Sequence, residues 1–135
     1  MDVARVAAIP AFAGLPETDL AAIARVAFDR ELAPGEVVVA QGDFGHALFV
    51  VEAGNAEILR GEETVDQVGA GDIIGEMAVL SSGRRVASVR ATSPMRLVCL
   101  FKRDVWALDR HAPQAAQRLL AALDEHRVLR GFGPA

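Results

Sequence analysis

The chain has a single cysteine, Cys99, so it forms no intramolecular disulfide, and the position of Cys99 within the apolar run Leu97 to Phe101 marks it as a packing residue. No apolar run approaches the roughly 20 residues that cross a bilayer, and no basic stretch leads into a hydrophobic segment at the N-terminus. The expected compartment is therefore the cytoplasm. Positive charge is not in excess: 14 Lys and Arg against 18 Asp and Glu give a net charge of -4, a mildly acidic surface on which duplex DNA is not an expected partner. The histidines, His46, His111 and His126, lack a joint metal-ligand spacing, and Cys99 stands beside no recognised base. Neither a metal centre nor a nucleophilic active site is expected. No tandem repeat or low-complexity linker divides the chain.

What is present is apolar material, 52% of 135 residues, enough for one domain with a real core. Residues 16–27 read as a first helix: Pro16 suits its first turn, Glu17 and Asp19 match its N-terminal dipole, and Leu20, Ile23 and Ala27 share a face. The period then changes. Val37 to Val39, Leu48 to Val51, Ala56 to Leu59, Thr64 to Val68, Val86 to Ala91 and Met95 to Phe101 are short β-favouring runs, divided by glycines and by Ser93-Pro94. Strands of this length and spacing suggest an antiparallel sandwich or a barrel. In the last run Met95, Leu97, Cys99 and Phe101 share one parity while Val98 and Leu100 occupy the other, which predicts a strand buried on much of both faces.

Helical periodicity returns near Asp104, where Val105, Leu108 and Trp106 are placed to cover an adjoining sheet. Pro113 can begin the next helix, which is expected from Gln114 to about Arg130 with Ala116, Leu119, Leu120, Leu123 and Val128 as its apolar stripe and Arg118, Asp124, Glu125 and Arg127 left wet. Gly131 and Gly133-Pro134 supply the stop.

The chemistry concentrates in Gly75-Glu76-Met77-Ala78-Val79-Leu80 and, after a short connection, Arg85-Val86-Ala87-Ser88-Val89. Gly75 lets the backbone approach a ligand, and a helical turn starting there directs free N–H groups at an anion. Arg85 brings a planar fork of fixed positive charge suited to a phosphate. Glu76 would repel that phosphate, a conflict that a donating sugar hydroxyl resolves. Taken singly, Glu76 reads equally as an acid at a helix start and Arg85 as a solubilising residue at a strand edge. Their joint placement around Met77 to Leu80 favours the ligand.

These residues resemble the phosphate-binding cassette of the cyclic nucleotide-binding domain family, in which an aromatic residue, Gly, Glu, Leu or Met, and Ala precede a connection and then Pro, Arg, a small residue and Ala. Upstream, Pro34-Gly35-Glu36-Val37-Val38, Gln41-Gly42-Asp43 and Leu48 to Gly54 match further family segments, so the similarity runs from about residue 12 to about residue 125. Ile74 stands where the family has an aromatic residue, and Arg84 stands in place of Pro, removing a constraint on φ and adding charge.

The resemblance implies a mainly β fold with flanking helices: a double-stranded β-helix or jelly-roll-like β-barrel over about 28–101, an N-terminal helix, and a C-terminal helical part over about 102–131, all in a single domain spanning 1–135. It implies ligand contacts from Gly75, Glu76, Met77, Ala78, Arg85, Val86 and Ala87, with Glu76 on the ribose 2′-hydroxyl, Arg85 on the cyclic phosphate and the N–H groups of Ala78 and Val86 completing the grip. Val128, Leu129 and Phe132 are candidates for a lid over the purine. Family members favouring cGMP often carry Thr or Ser after the phosphate arginine; Val86 has no hydroxyl, so cAMP is the expected ligand, with cGMP as the second choice.

The implied function is that of a sensor or regulatory module, not an enzyme, which transmits occupancy by moving its C-terminal helices to an attached effector or within a homodimer. DNA-binding relatives carry a helix-turn-helix after this kind of domain, and direct DNA binding by these residues is not expected. Two other readings are a degenerate barrel used for protein interaction or dimerisation, and a cupin-like enzyme, for which a convergent ligand cluster is lacking.

Overall fold

The computed structural model describes residues 1–40, 47–74 and 87–119. A short helix α1, Val3–Ala7, starts behind Asp2, whose side chain accepts the Ala4 N–H at 3.0 Å, and a 3-10 turn, Pro10–Phe12, leads into α2, Glu17–Val26. The strands that follow are β1 Phe28–Leu32, β2 Val37–Val39, β3 Ala47–Ala53, β4 Ala56–Arg60, β5 Glu63–Val68, β6 Ile73–Ile74, β7 Ser88–Ala91 and β8 Met95–Phe101. Helix α3, Lys102–His111, continues directly from β8, and residues 113–119 are helical again.

All the strand pairs are antiparallel and make two sheets, with orders β1-β8-β3-β6 and β2-β7-β4-β5. Between them lies one core: Phe49, Val51, Ile74, Leu97 and Cys99 of the first sheet meet Val38, Ile58, Val68, Val89 and Ala91 of the second. The opposite face of the first sheet presents Leu48, Val50, Ile73, Val98 and Leu100, which pack with Phe12, Ile23, Val105, Leu108 and Leu119 in a second core under the helices. The alternation in β8 is therefore the one expected from its sequence: Leu97 and Cys99 face the other sheet, Val98 and Leu100 face the helices. Only the end of the strand departs, because Phe101 runs out of the core and is exposed.

The mainly β fold with flanking helices is as expected, but the barrel is not. Among the described residues neither sheet closes on itself: β1 and β6 are the edges of one, β2 and β5 the edges of the other. The chain is an open two-sheet sandwich. Alternating inward and outward residues are demanded by a sandwich and by a barrel alike, so the pattern that suggests strands carries no information about closure. At the corner where β1 of one sheet lies beside β2 of the other, a side chain stands where a barrel would have a backbone ladder. The Arg30 guanidinium donates to the carbonyl oxygens of Val37 and Val38, both at 3.1 Å, with its head 6.0 Å from the centre of the Phe49 ring.

The β3–β4 connection is tied to the β7–β8 connection by the Asn55 N–H donating to Ser93 Oγ at 2.9 Å and the Thr92 N–H donating to the Asn55 carbonyl at 3.0 Å. Gly54 makes this approach possible. Its φ is +93°, and a Cβ added there would collide with the Pro94 carbonyl oxygen and lie 2.9 Å from the Met95 Cα.

The helices are joined by a longer reach. Ala112 ends α3, donating its N–H to Leu108, and its own carbonyl accepts from Ala116 at 3.0 Å, so it also stands at the start of 113–119. An alanine has no side-chain oxygen for the free N–H groups of that turn. Asp19 supplies one from 96 residues away, its Oδ2 accepting the Ala115 N–H at 3.0 Å in a buried contact. The sequence placed Asp19 as an acid at the start of α2; it does sit in that first turn, but buried, and it caps a different helix. Arg118, expected to be wet, donates to the Ala13 carbonyl at 2.6 Å. Trp106, expected to cover the sheet beside Val105 and Leu108, instead points outward.

Replacing Asp19 by Ala leaves a buried N–H without its acceptor and is expected to cost about 1–3 kcal/mol in urea unfolding, with faster exchange of the Ala115 amide proton. Asp19→Asn, which keeps an oxygen acceptor, loses less. Gly54→Ala forces a side chain into a left-handed backbone against the Pro94 peptide, and its unfolding free energy is expected to fall by more than about 1 kcal/mol.

Candidate functional site

Of the ligand residues expected from the sequence, Gly75, Glu76, Met77, Ala78, Arg85 and Val86 lie outside the described residues, as do Val128, Leu129 and Phe132 of the expected lid. Ala87 is described, and it is buried between the sheets. What the fold defines is the frame that holds the motif at each end.

The upstream end is built by a tight turn. Gly69 donates its N–H to Asp72 Oδ2 at 2.8 Å, and the Asp72 N–H returns to the Gly69 carbonyl at 3.0 Å. The turn docks on β3 through two backbone bonds of 2.8 Å, Val51 N–H to the Asp72 carbonyl and Gly71 N–H to the Val51 carbonyl. Ile73 and Ile74 then pair with Val50 and Phe49 as the edge of the first sheet. Ile74 is buried in the inter-sheet core, so an aliphatic side chain fills the place where the family pattern has an aromatic one.

The downstream end enters the other sheet. Ser88 pairs with Leu59, and Val89 pairs with Ile58 on one side and Val39 on the other, so β7 is an inner strand fixed by neighbours on both flanks. The chain thus leaves the first sheet at Ile74 and joins the second at Ser88, with Ile74 and Ala87 as apolar anchors on either side of the motif.

Several charged groups on the strands and on α1 are engaged in structural pairs. Arg5 donates from Nη2 to Glu52 at 2.7 Å and from Nη1 to Asp29 at 2.7 Å, and these two bonds raise its own proton affinity. The same guanidinium holds the Asp29 carboxyl below the usual carboxylate range. Arg90 grips Glu57 across β7 and β4, with Nε at 2.9 Å from Oε1, and that hydrogen bond lowers the Glu57 pKa. Arg96 reaches Glu31 at 3.2 Å. Burial pushes the Cys99 thiol up to about 12, which keeps it protonated and inert at neutral pH. Among the described residues no three His, Cys, Asp or Glu side chains gather as a metal-binding group. No helix there is long and apolar enough to cross a membrane.

Parts of this frame escape a reading of the sequence. Strand β6 has two residues and β1, Phe-Asp-Arg-Glu-Leu, alternates weakly, so neither shows a β signal. The capping role of Asp19 has no local signature, because its partner lies at the far end of the chain.

The sequence model of the family described as "Cyclic nucleotide-binding domain" matches residues 29–111, more than half of the chain and all of the motif between Ile74 and Ser88. The chain is 38% identical over 122 residues to the cyclic AMP receptor protein of Thermus thermophilus, covering 84% of this chain and 55% of that protein. It is 35% identical over 94 residues to a cAMP-dependent protein kinase regulatory subunit of Hypocrea atroviridis, covering 70% of this chain and 20% of that one. Among solved structures, the catabolite activator protein of Thermus thermophilus superposes with a TM-score of 0.76 at 34% identity, covering 91% of this chain and 59% of that one. A cyclic nucleotide-binding domain from Methylobacillus flagellatus shares the fold at a TM-score of 0.79 and 21% identity, covering 96% of this chain and 76% of that one. Further relatives are potassium channel proteins and cGMP-dependent protein kinases, and the chain spans only part of the length of each of these proteins. By the match of its strands, its motif and its length from 29 to 111, the chain belongs to the cyclic nucleotide-binding domain family.

Proposed function

We propose that residues 1–135 act as one domain that binds a cyclic nucleotide, cAMP in preference to cGMP, and reports occupancy through its C-terminal helices. The observation that carries this reading is the family match over an unbroken motif whose two ends, Ile74 and Ala87, are anchored in the inter-sheet core. Gly75 gives the backbone close approach, and the N–H groups of Ala78 and Val86 face the ring phosphate. Arg85 supplies the charge-assisted bonds to that phosphate, and Glu76 accepts from the ribose 2′-hydroxyl. Met77 and Ala87 complete the contact surface. A local cation is required because the chain as a whole, at -4, repels an anion.

Val86 presents a methyl surface where a hydroxyl would engage guanine, which favours adenine. Val128, Leu129 or Phe132 covers the base, and contact between helix and ligand supplies the unequal affinity for two helix arrangements without which no ligand can shift an equilibrium. The setting is cytoplasmic, and the listener is an effector carried in a longer protein or a second copy in a homodimer. Relatives named for cAMP, the Thermus receptor and the fungal regulatory subunit, support the nucleotide assignment.

Calorimetric titration with cAMP and cGMP tests this. The unaltered protein is expected to bind cAMP more tightly, and Arg85→Ala to lose roughly 1.5–3 kcal/mol, about tenfold to over one-hundredfold in affinity. Affinity unchanged in that variant rejects the phosphate role, and no heat with either nucleotide leaves the chain as a protein-interaction module. Val86→Thr is expected to improve cGMP binding by about 1 kcal/mol, roughly fivefold, while sparing cAMP.

A further inference from the structure

Three aromatic rings stay in the open where β8 runs into α3: Phe28 is 37% exposed, Phe101 40% and Trp106 52%. Phe28 and Phe101 stack across the β1–β8 pair with ring centres 4.8 Å apart, and the Arg103 guanidinium lies 5.3 Å from the centre of the Phe101 ring. Phe101, Lys102, Arg103 and Trp106 line a groove of about 560 Å³. A rigid aromatic surface rimmed by cations is the composition of a binding hot spot, not of an ordinary wet face.

The charge of the rim says what fits. Counted around α3 at about 100° per residue, Lys102, Arg103, Asp109 and Arg110 share the half of the helix that carries Trp106, three cations against one acid on a chain whose net charge is -4. Lys102 and Arg103 sit in the first turn, where positive side chains oppose the helix dipole; Asp104 of the same turn lies on the side of the helix away from Trp106, and neither cation makes an ion pair among the described residues. The N-cap position is Phe101, which gives the turn no side-chain acceptor. An incoming carboxylate relieves both conditions.

We propose that this groove docks an acidic segment of a partner protein, which seats one apolar side chain between Phe101 and Trp106 and sets its carboxylates against Lys102 and Arg103. Pairing two copies face to face would oppose like charges, and a concave groove on an acidic chain suits a protruding side chain better than a flat anionic bilayer. The proposal is independent of nucleotide binding.

Trp106 is the only tryptophan, so its fluorescence reports the groove directly. The full chain is titrated with a synthetic heptapeptide of Asp and Glu around a central Leu, with a Lys version of the same peptide, with phosphatidylserine vesicles, and against its own concentration in sedimentation. The acidic peptide alone is expected to shift the emission to the blue. The effect should weaken at least tenfold in the Lys102→Glu, Arg103→Glu double variant, whose fold is checked by circular dichroism, and should fade in 0.5 M salt. If the double variant does not fold, Lys102→Gln is expected to weaken the effect in the same direction. An emission unmoved by the acidic peptide at millimolar concentration, an equal response to the Lys peptide, or a shift that follows vesicles or self-association instead overturns the proposal.

Discussion

The arrangement depends on a sheet that is apolar on both faces. From Ala47 to Val51 in β3 and from Leu97 to Leu100 in β8 each step along the strand turns a side chain from one core to the other, so Phe49 and Leu97 hold the second sheet while Val50 and Val98 hold the helices. A slip of one residue in either strand would exchange the two sets, presenting the helix-facing side chains to the other sheet. The register of these two strands, Phe49 opposite Cys99 and Val50 opposite Val98, therefore places both layers at once. It also places the motif, since β6 pairs with β3 and hands the chain on from Ile74.

How far the sequence foretold this follows from the range of each interaction. The two-sided burial of β8 could be read from seven consecutive residues, because parity is a local property. The choice between sandwich and barrel could not, because closure is a relation between strands far apart that the same alternation serves either way. Trp106 shows the limit of helical periodicity: Val105 and Leu108 face inward, while their neighbour between them lies on the opposite side of α3. The ligand motif is written in the sequence almost complete, yet of the expected ligand contacts only Ala87 stands among the described residues, where it is a wall of the inter-sheet core.

The division of charge complements that reading. Arg5, Arg30, Arg90 and Arg96 each serve the frame: Arg5, Arg90 and Arg96 through carboxylates, Arg30 through backbone carbonyls of the neighbouring sheet. Exposed pairs of this sort contribute little stability singly, and two of them, Arg90 with Glu57 and Arg96 with Glu31, join residues directly opposite in the strand register. The frame thus uses for structure the same functional group that the proposed function assigns to the phosphate at Arg85.

The cap that Asp19 places on the Ala115 amide has a mechanical consequence. Because α2 and the segment 113–119 share that bond, and the Arg118 bond to Ala13 adds a second tie, these two parts of the helical layer are fastened to each other over the outer face of the first sheet. Swinging 113–119 alone about Ala112 would strand a buried oxygen and a buried amide, so any displacement of that segment draws α2 along with it or forfeits the cap.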